Sequence, residues 1–229
     1  LIDSPGGRCR IEDLRAGDLV TTPGGAADIL WAGGRHVGVE ELAAHPALRP
    51  VMIRRGALGN DRPLVLSRQH AVLIAGPGGT PGLVRAGQLA HLGRGAFRVQ
   101  EGRRSVRYHH LLLARHGLVR ANGAWVETLW PGPAGLAALG SAAAKEIALA
   151  LPWLGAALKA PGLVPLLYGP RVAPVLTGRI LRALPEVAPV PGESLPGLAQ
   201  LQPAHPAPRR MNKFPAEPPK TASFSRIAP

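Results

Sequence analysis

Residues 64–74 read LVLSRQHAVLI, in which Leu, Val and Ile flank one small hydroxyl residue, Ser67, and one titratable ring, His70, three positions later. Aliphatic and β-branched residues at this density predict a buried strand that breaks at Ser67-Arg68-Gln69-His70 and then resumes. A histidine in such surroundings lies close to apolar walls, where its imidazole is poised near neutrality. The purely structural alternative is a strand–turn–strand whose histidine bonds a backbone carbonyl. Ser-x-x-His alone does not choose between the two.

Upstream, two glycine-containing turns, Ser4-Pro5-Gly6-Gly7 and Thr22-Pro23-Gly24-Gly25, bracket a segment with Ile11, Leu14, Leu19 and Val20 apolar. This predicts a hairpin-rich β region with a short helical turn at Glu12-Asp13-Leu14 leading into a strand. Val51-Met52-Ile53 reads as a further short strand. Downstream, Gly76–Gly82 (GPGGTPG) predicts a tight loop with positive φ at its glycines, and Ala86–Leu92 one turn of helix. Residues 97–130 alternate apolar and polar, and Asn122-Gly123 is the strongest hairpin signal in the chain. His110 and His116 are six apart, which puts both rings on one strand face if no bulge intervenes.

From Pro131 the texture changes. Ala134–Leu151 is rich in Ala and Leu and predicts helix, with Ser141 as an N-cap. Residues 147–158 form the longest uncharged apolar run, too short to span a bilayer and broken by Pro152. Beyond about Pro185, Pro, Gly and Ala dominate, which predicts a disordered tail. The chain therefore divides into an all-β domain over 1–133, a helical or irregular extension over 134–184 and a Pro-rich tail over 185–229.

Composition narrows the function. Gly 29 and Pro 25 together approach a quarter of the 229 residues, favouring short elements, and the core must be aliphatic because Trp 4, Tyr 2 and Phe 3 are the only aromatics. The net charge is +13, yet only Lys145, Lys159, Lys213 and Lys220 are lysines, and the arginines are scattered. No basic helix face or zinc-finger spacing accompanies them, which argues against nucleic-acid binding. Cys9 is the single cysteine, so an intramolecular disulfide and a cysteine-cluster metal site are both excluded. His109, His110 and His116 bring no acidic or thiol partner with them, so neither a metal nor a cofactor is expected. His36, His45, His91 and His205 read as solvated. The chain opens on Leu1 rather than Met, and an extension upstream is expected.

Three blocks, at these spacings, resemble the Hint module shared by hedgehog proteins and inteins, in its bacterial form. They are Ile11-Glu12-Asp13-Leu14 with Gly17-Asp18-Leu19-Val20; Leu66-Ser67-x-x-His70; and His110-Leu111-Leu112 through His116 to Ala121-Asn122-Gly123 and Trp125-x-Glu127-Thr128. Tyr168–Leu181 (YGPRVAPVLTGRIL) resembles an extension found downstream in such proteins. The resemblance implies an all-β horseshoe of short strands and autoprocessing of a larger precursor, secreted or at the cell surface. A Cys or Ser attacks the carbonyl of the preceding peptide bond, and the resulting (thio)ester is cleaved by water, a thiol or an amine.

The resemblance further implies that His70, lying against the peptide at the module's front edge, serves the scissile nitrogen as general acid. It gives Ser67 the orienting of that peptide and His116 a part in the second step, with His110 and Glu127 as secondary candidates. The nucleophile is expected upstream of Leu1; Cys9 lies too far inside. Glu127-Thr128 stands where splicing inteins carry His-Asn, so cleavage without splicing is the implied activity. The alternatives are an inactive Hint scaffold serving as an interaction module, and a basic anion-binding or nucleic-acid-binding β-protein.

Overall fold

Turn-forming residues recur every few positions, and the chain answers with strands that are mostly three to five residues long. The computed structural model describes residues 1–93 and 95–190. In chain order the strands are β1 Ile2–Ser4, β2 Gly7–Cys9, β3 Leu19–Thr22, β4 Gly25–Val37, β5 Val51–Ile53 and β6 Leu64–Leu66. They continue with β7 Ala71–Ala75, β8 Pro81–Arg85, β9 Phe97–Val99, β10 Val106–Leu113, β11 Leu118–Ala121 and β12 Ala124–Glu127. The helices are α1 Val39–Ala44, α2 Ala86–His91, α3 Pro133–Leu139, α4 Ser141–Ala150, α5 Leu154–Lys159, α6 Val164–Leu167 and α7 Gly178–Ala183.

Three antiparallel sheets result. The largest runs β2-β1-β11-β12-β7-β8, and the smaller two run β10-β4-β3 and β6-β5-β9. The break at Ser67–His70 thus separates two strands of different sheets: β6 pairs with β5, while β7 pairs with β12 and β8. One aliphatic core joins all three, through residues such as Ile29, Ile53, Val72, Leu111 and Val126. Burial of each such side chain stabilises the fold by about 1.5–3 kcal/mol relative to exposure.

β4 is the exception in length, pairing with β3 through its first part and β10 through the rest. Gly33 within it admits no side chain, since a Cβ there would sit 2.2 Å from the Trp31 ring. Asn122-Gly123 makes the expected β11–β12 turn with φ of 49° and 91°, the two positive values that a type I′ hairpin requires. A Cβ at Gly123 would also lie 3.1 Å from the Gly59 carbonyl. Gly123→Ala is therefore expected to cost about 1–3 kcal/mol in a denaturant titration; wild-type stability would mean that this turn tolerates a side chain.

Expectation and structure part at several points. Ser141 does not cap α4; it is the first helical residue, and Gly140, with φ 90°, holds the cap position because an L side chain is strained there. The loop after β7 is shorter than 76–82, since Pro81 and Gly82 already pair with Ala75 and Ile74. α1 was not anticipated from the sequence. Residues 185–190 pack on the sheet, with Val190 buried and the Ala188 carbonyl accepting the Ala75 N–H at 3.0 Å. The remainder of the expected tail, 191–229, lies outside the described residues.

The segment after β12 is sewn to the β domain. α3–α6 bury Leu136, Ile147, Leu154 and Val164 against Trp31, Leu112 and Leu129. Val172 and Ala173 enter a third cluster with Leu73, Leu83 and Leu118. Leu83 donates its N–H to Pro174 and accepts from Leu176, both at 2.8 Å, so the extension covers the β8 edge. Among the described residues no helix is long and apolar enough to cross a membrane.

Candidate active site around Glu127

The break after β6 is fixed locally. Ser67 Oγ accepts the His70 N–H at 3.2 Å, as its carbonyl also does, which closes the turn. The Ala86 N–H donates to His70 O and the Gly87 N–H to Arg68 O, both at 2.9 Å, so the start of α2 holds the turn from outside. The imidazole of His70 is thereby aimed across β7 at the end of β12.

There Nε2 of His70 lies 2.9 Å from the carbonyl oxygen of Glu127. A carbonyl can only accept, so Nε2 carries the ring proton and Nδ1 keeps a bare lone pair. The ring of His110, on β10, stacks on it with centroids 5.8 Å apart and planes 29° from parallel.

The carboxylate of Glu127 works in the other direction. Oε1 accepts the Ala71 N–H at 2.9 Å, and Oε2 lies 3.2 Å from Arg171 Nη1 and 3.3 Å from His116 Nε2. His116 is buried, and its Nδ1 accepts the Val172 N–H at 3.0 Å, so its proton also sits on Nε2, toward the carboxylate. One residue thus uses its carbonyl for His70 and its side chain for His116, Arg171 and the first N–H of β7.

Electrostatics follow from burial and from this hub. Burial pushes His70 below the usual imidazole value, against the opposing pull of the Glu127 charge. Burial, with the adjacent His70, takes His110 down to about 3. For Glu127, burial favours the neutral acid; His116 at 3.3 Å, the His70 ring and the Ala71 N–H outweigh it and hold the carboxyl below its ordinary value.

A pocket of about 300 Å³ opens over His70, His110 and Glu127, with Trp130 and the α3 residues Gly135 and Ala138 forming an apolar wall. Arg68, Arg85 and Arg171 also line it. Ser67, His70, His110, His116 and Glu127, all singled out in the sequence, are therefore brought together. His116 does not arrive by strand alternation, because β10 ends at Leu113 after a shift of register and His116 sits in the bend beyond. His109 faces away, within electrostatic reach of Glu12.

Leu1 and Cys9 stand apart. Leu1 bonds Asn122 at the tip of the β11–β12 hairpin, through its nitrogen to Oδ1 at 2.8 Å and its carbonyl to the Asn122 N–H at 2.9 Å. His70 lies at the hairpin's other end, so it does not lie against Leu1 as expected. Cys9, half-buried at the end of β2, faces Ser4 Oγ at 3.6 Å. Arg171 and Val172 were missed in the sequence; their segment, YGPRVAPVLTGRIL, stood out, but neither residue type nor spacing names a partner 44 or 56 positions earlier.

The family model of the Hint domain matches residues 1–133, more than half of the chain. The chain belongs to the Hint domain family. Comparison with curated proteins and with solved structures finds no match. The Hint domain's strands, β1 to β12, all fall inside the matched segment, whereas Arg171 and Val172 fall outside it.

The buried imidazoles make this Hint domain sensitive to acid. The unfolded chain protonates a histidine near pH 6.5, whereas the folded domain keeps His110 neutral down to about 3. As pH falls below 6.5 protons bind the unfolded state first, so stability present above that pH is lost below it. His70, lowered in the same direction, adds to the loss. Urea unfolding at pH 5 is expected to give a free energy on the order of 2 kcal/mol below that at pH 7 from His110 alone. His110→Gln should flatten the dependence; a wild type equally stable at both pH values would contradict the burial of these rings.

Proposed function

We propose that this Hint domain cleaves the peptide bond at its own N-terminal junction through an N-to-S or N-to-O acyl shift, without splicing. The observation that carries this reading is the state of His70: its proton is held on Nε2 by a carbonyl, and its bare Nδ1 has no protein partner among the described residues that line the pocket. Nδ1 accepts the proton of a Cys or Ser side chain N-terminal to Leu1 as that side chain attacks the preceding carbonyl carbon. The Glu127 carboxylate steadies the imidazolium so formed. The C–N bond then breaks, the same proton passes from Nδ1 to the departing amine, and an ester or thioester remains. Water, a thiol or an amine takes the acyl group and returns the nucleophile's proton.

The geometry adds a spacing requirement. From Asn122, where Leu1 is bonded, to Glu127 is five residues of hairpin, roughly 17 Å at ~3.4 Å per residue. A nucleophile that reaches His70 must therefore precede Leu1 by about five residues or more, with the backbone turning back over the hairpin. Thr128 supports the absence of splicing, since it has no side-chain amide to cyclise and its Oγ1 serves the fold by accepting the buried Gly117 N–H at 3.0 Å.

Hydroxylamine tests the proposal on the chain extended by its natural upstream sequence. An ester or thioester is trapped as a hydroxamate, so mass spectrometry should find the N-terminal fragment carrying a C-terminal hydroxamate. A folded precursor that stays whole in hydroxylamine, and in thiol, would leave the Hint scaffold as an interaction module only.

A further inference from the structure

We infer that Arg171 and Val172, from the extension outside the family-matched segment, are positioning residues that set the proton of His116 and the orientation of Glu127, so that the extension completes the site. As a statement about catalysis, this rests on the cleavage reading above. As a statement about proton placement it does not.

The segment that carries the two residues is clamped on both sides. Before them, the buried Tyr168 hydroxyl donates to the carbonyls of Leu113 at 2.8 Å and Leu129 at 3.4 Å. After them, Pro174 and Leu176 bond Leu83. Val172 itself is 3% exposed, among Leu73, Leu83 and Leu118. Its N–H is therefore delivered to His116 Nδ1 by a backbone with little freedom to retreat. The guanidinium of Arg171 lies 4.7 Å over the Trp130 ring and reaches Glu127 Oε2 at 3.2 Å. A cation held on an aromatic face is fixed in direction as well as in charge.

The two contacts act on one unit. His116 can accept from Val172 and face the Glu127 carboxylate at 3.3 Å only with its proton on Nε2. The other tautomer would set an N–H against the Val172 N–H and a lone pair against the carboxylate. Arg171 shares Oε2 with His116 and, by its hydrogen bond there, fixes the direction in which that oxygen points. Glu127, so fixed, presents its carbonyl to His70 Nε2, which leaves Nδ1 of His70 as the atom open to the pocket. The extension thus reaches His70 through two residues without touching it.

Nitrogen-15 NMR of the imidazoles tests this on the whole chain, with no need for cleavage. Wild type is expected to show His116 and His70 both protonated on Nε2, with a coupling from the Val172 nitrogen to His116 Nδ1. A His116 protonated on Nδ1 would overturn the inference outright. Arg171→Met, which removes the guanidinium and its hydrogen bond to Oε2, is expected to raise the Glu127 titration midpoint, read from its carboxyl carbon. Arg171→Lys should bring it most of the way back, and an unmoved midpoint in Arg171→Met would sink the role of the guanidinium.

On the upstream-extended chain, Arg171→Met should slow hydroxylamine release by roughly 10-fold to 10²-fold, restored by Arg171→Lys. Wild-type release with a shifted Glu127 would remove Arg171 from positioning. A wild type that releases nothing yet shows the expected tautomers would instead defeat the cleavage reading and leave the proton placement standing.

Discussion

His70→Ala is expected to slow hydroxylamine-triggered release of the upstream fragment by about 10²–10⁴-fold, the range that a positioned proton-transfer group supplies. The substitution removes the bare Nδ1 and leaves the attacking side chain and the departing nitrogen to exchange protons through water. It also deprives the Glu127 carbonyl of its 2.9 Å donor. That carbonyl borders the pocket, where water can replace the lost N–H, so the cost to folding stays near the low end of the ~1–3 kcal/mol of an unmade hydrogen bond. The near-ultraviolet spectrum and the denaturation midpoint should therefore change little while release collapses. His70→Gln restores a donor toward Glu127 without a proton-accepting ring; it should match Ala in rate and wild type in stability. Release at the wild-type rate in either variant would take His70 out of the reaction.

Glu127→Ala is expected to cost about 2–4 kcal/mol of stability, because buried donors lose the carboxylate at about 1–3 kcal/mol each. Two groups lose their acceptor, the Ala71 N–H and the Arg171 guanidinium, and the buried His116 Nε2, 3.3 Å from the carboxylate, loses its only polar neighbour on that side. Only Arg171 can turn to solvent, since its side chain is 36% exposed whereas that of His116 is 0%. Against a total of about 5–15 kcal/mol for an ordinary domain, such a loss leaves a protein near the edge of unfolding. Glu127→Gln keeps an oxygen for Ala71 and gives up the charge, so urea titration should place it between Ala and wild type. A loss below about 1 kcal/mol for Ala would mean that the carboxylate is a bystander.

Much of this site was legible in the sequence because its chemistry is carried by local signals. Ser67 and His70 interrupt an apolar run, and the interruption is the turn that aims the imidazole. Asn122-Gly123 specifies its hairpin through positive φ alone. The short strand at Val51–Ile53 and the helix beginning at Ala86 were likewise read from residue type. What failed to show was long-range. That β6 and β7 belong to different sheets depends on which partners each strand finds, and an aliphatic run is equally suited to either. Ser141 has the chemistry of a cap, yet the α3–α4 junction needs a positive φ, and the glycine one position earlier takes it. His110 and His116 do meet near one carboxylate, but through a bend after β10 rather than through strand alternation. Glu127, with Arg115 and Arg120 one of three charged residues in 111–130, becomes the hub only once β12 lies beside β7.

The strap that runs from Tyr168 to Leu176 along β8 has a consequence for timing. Translation proceeds from the N-terminus at about 5–20 residues per second. All twelve strands have left the ribosome well before Arg171 and Val172 do. For that interval the nascent chain owns its histidines and its acid, but lacks the two contacts that assign their protons. On the proposed cleavage reading, scission of an upstream junction would be slowed until the strap has been synthesised and laid down.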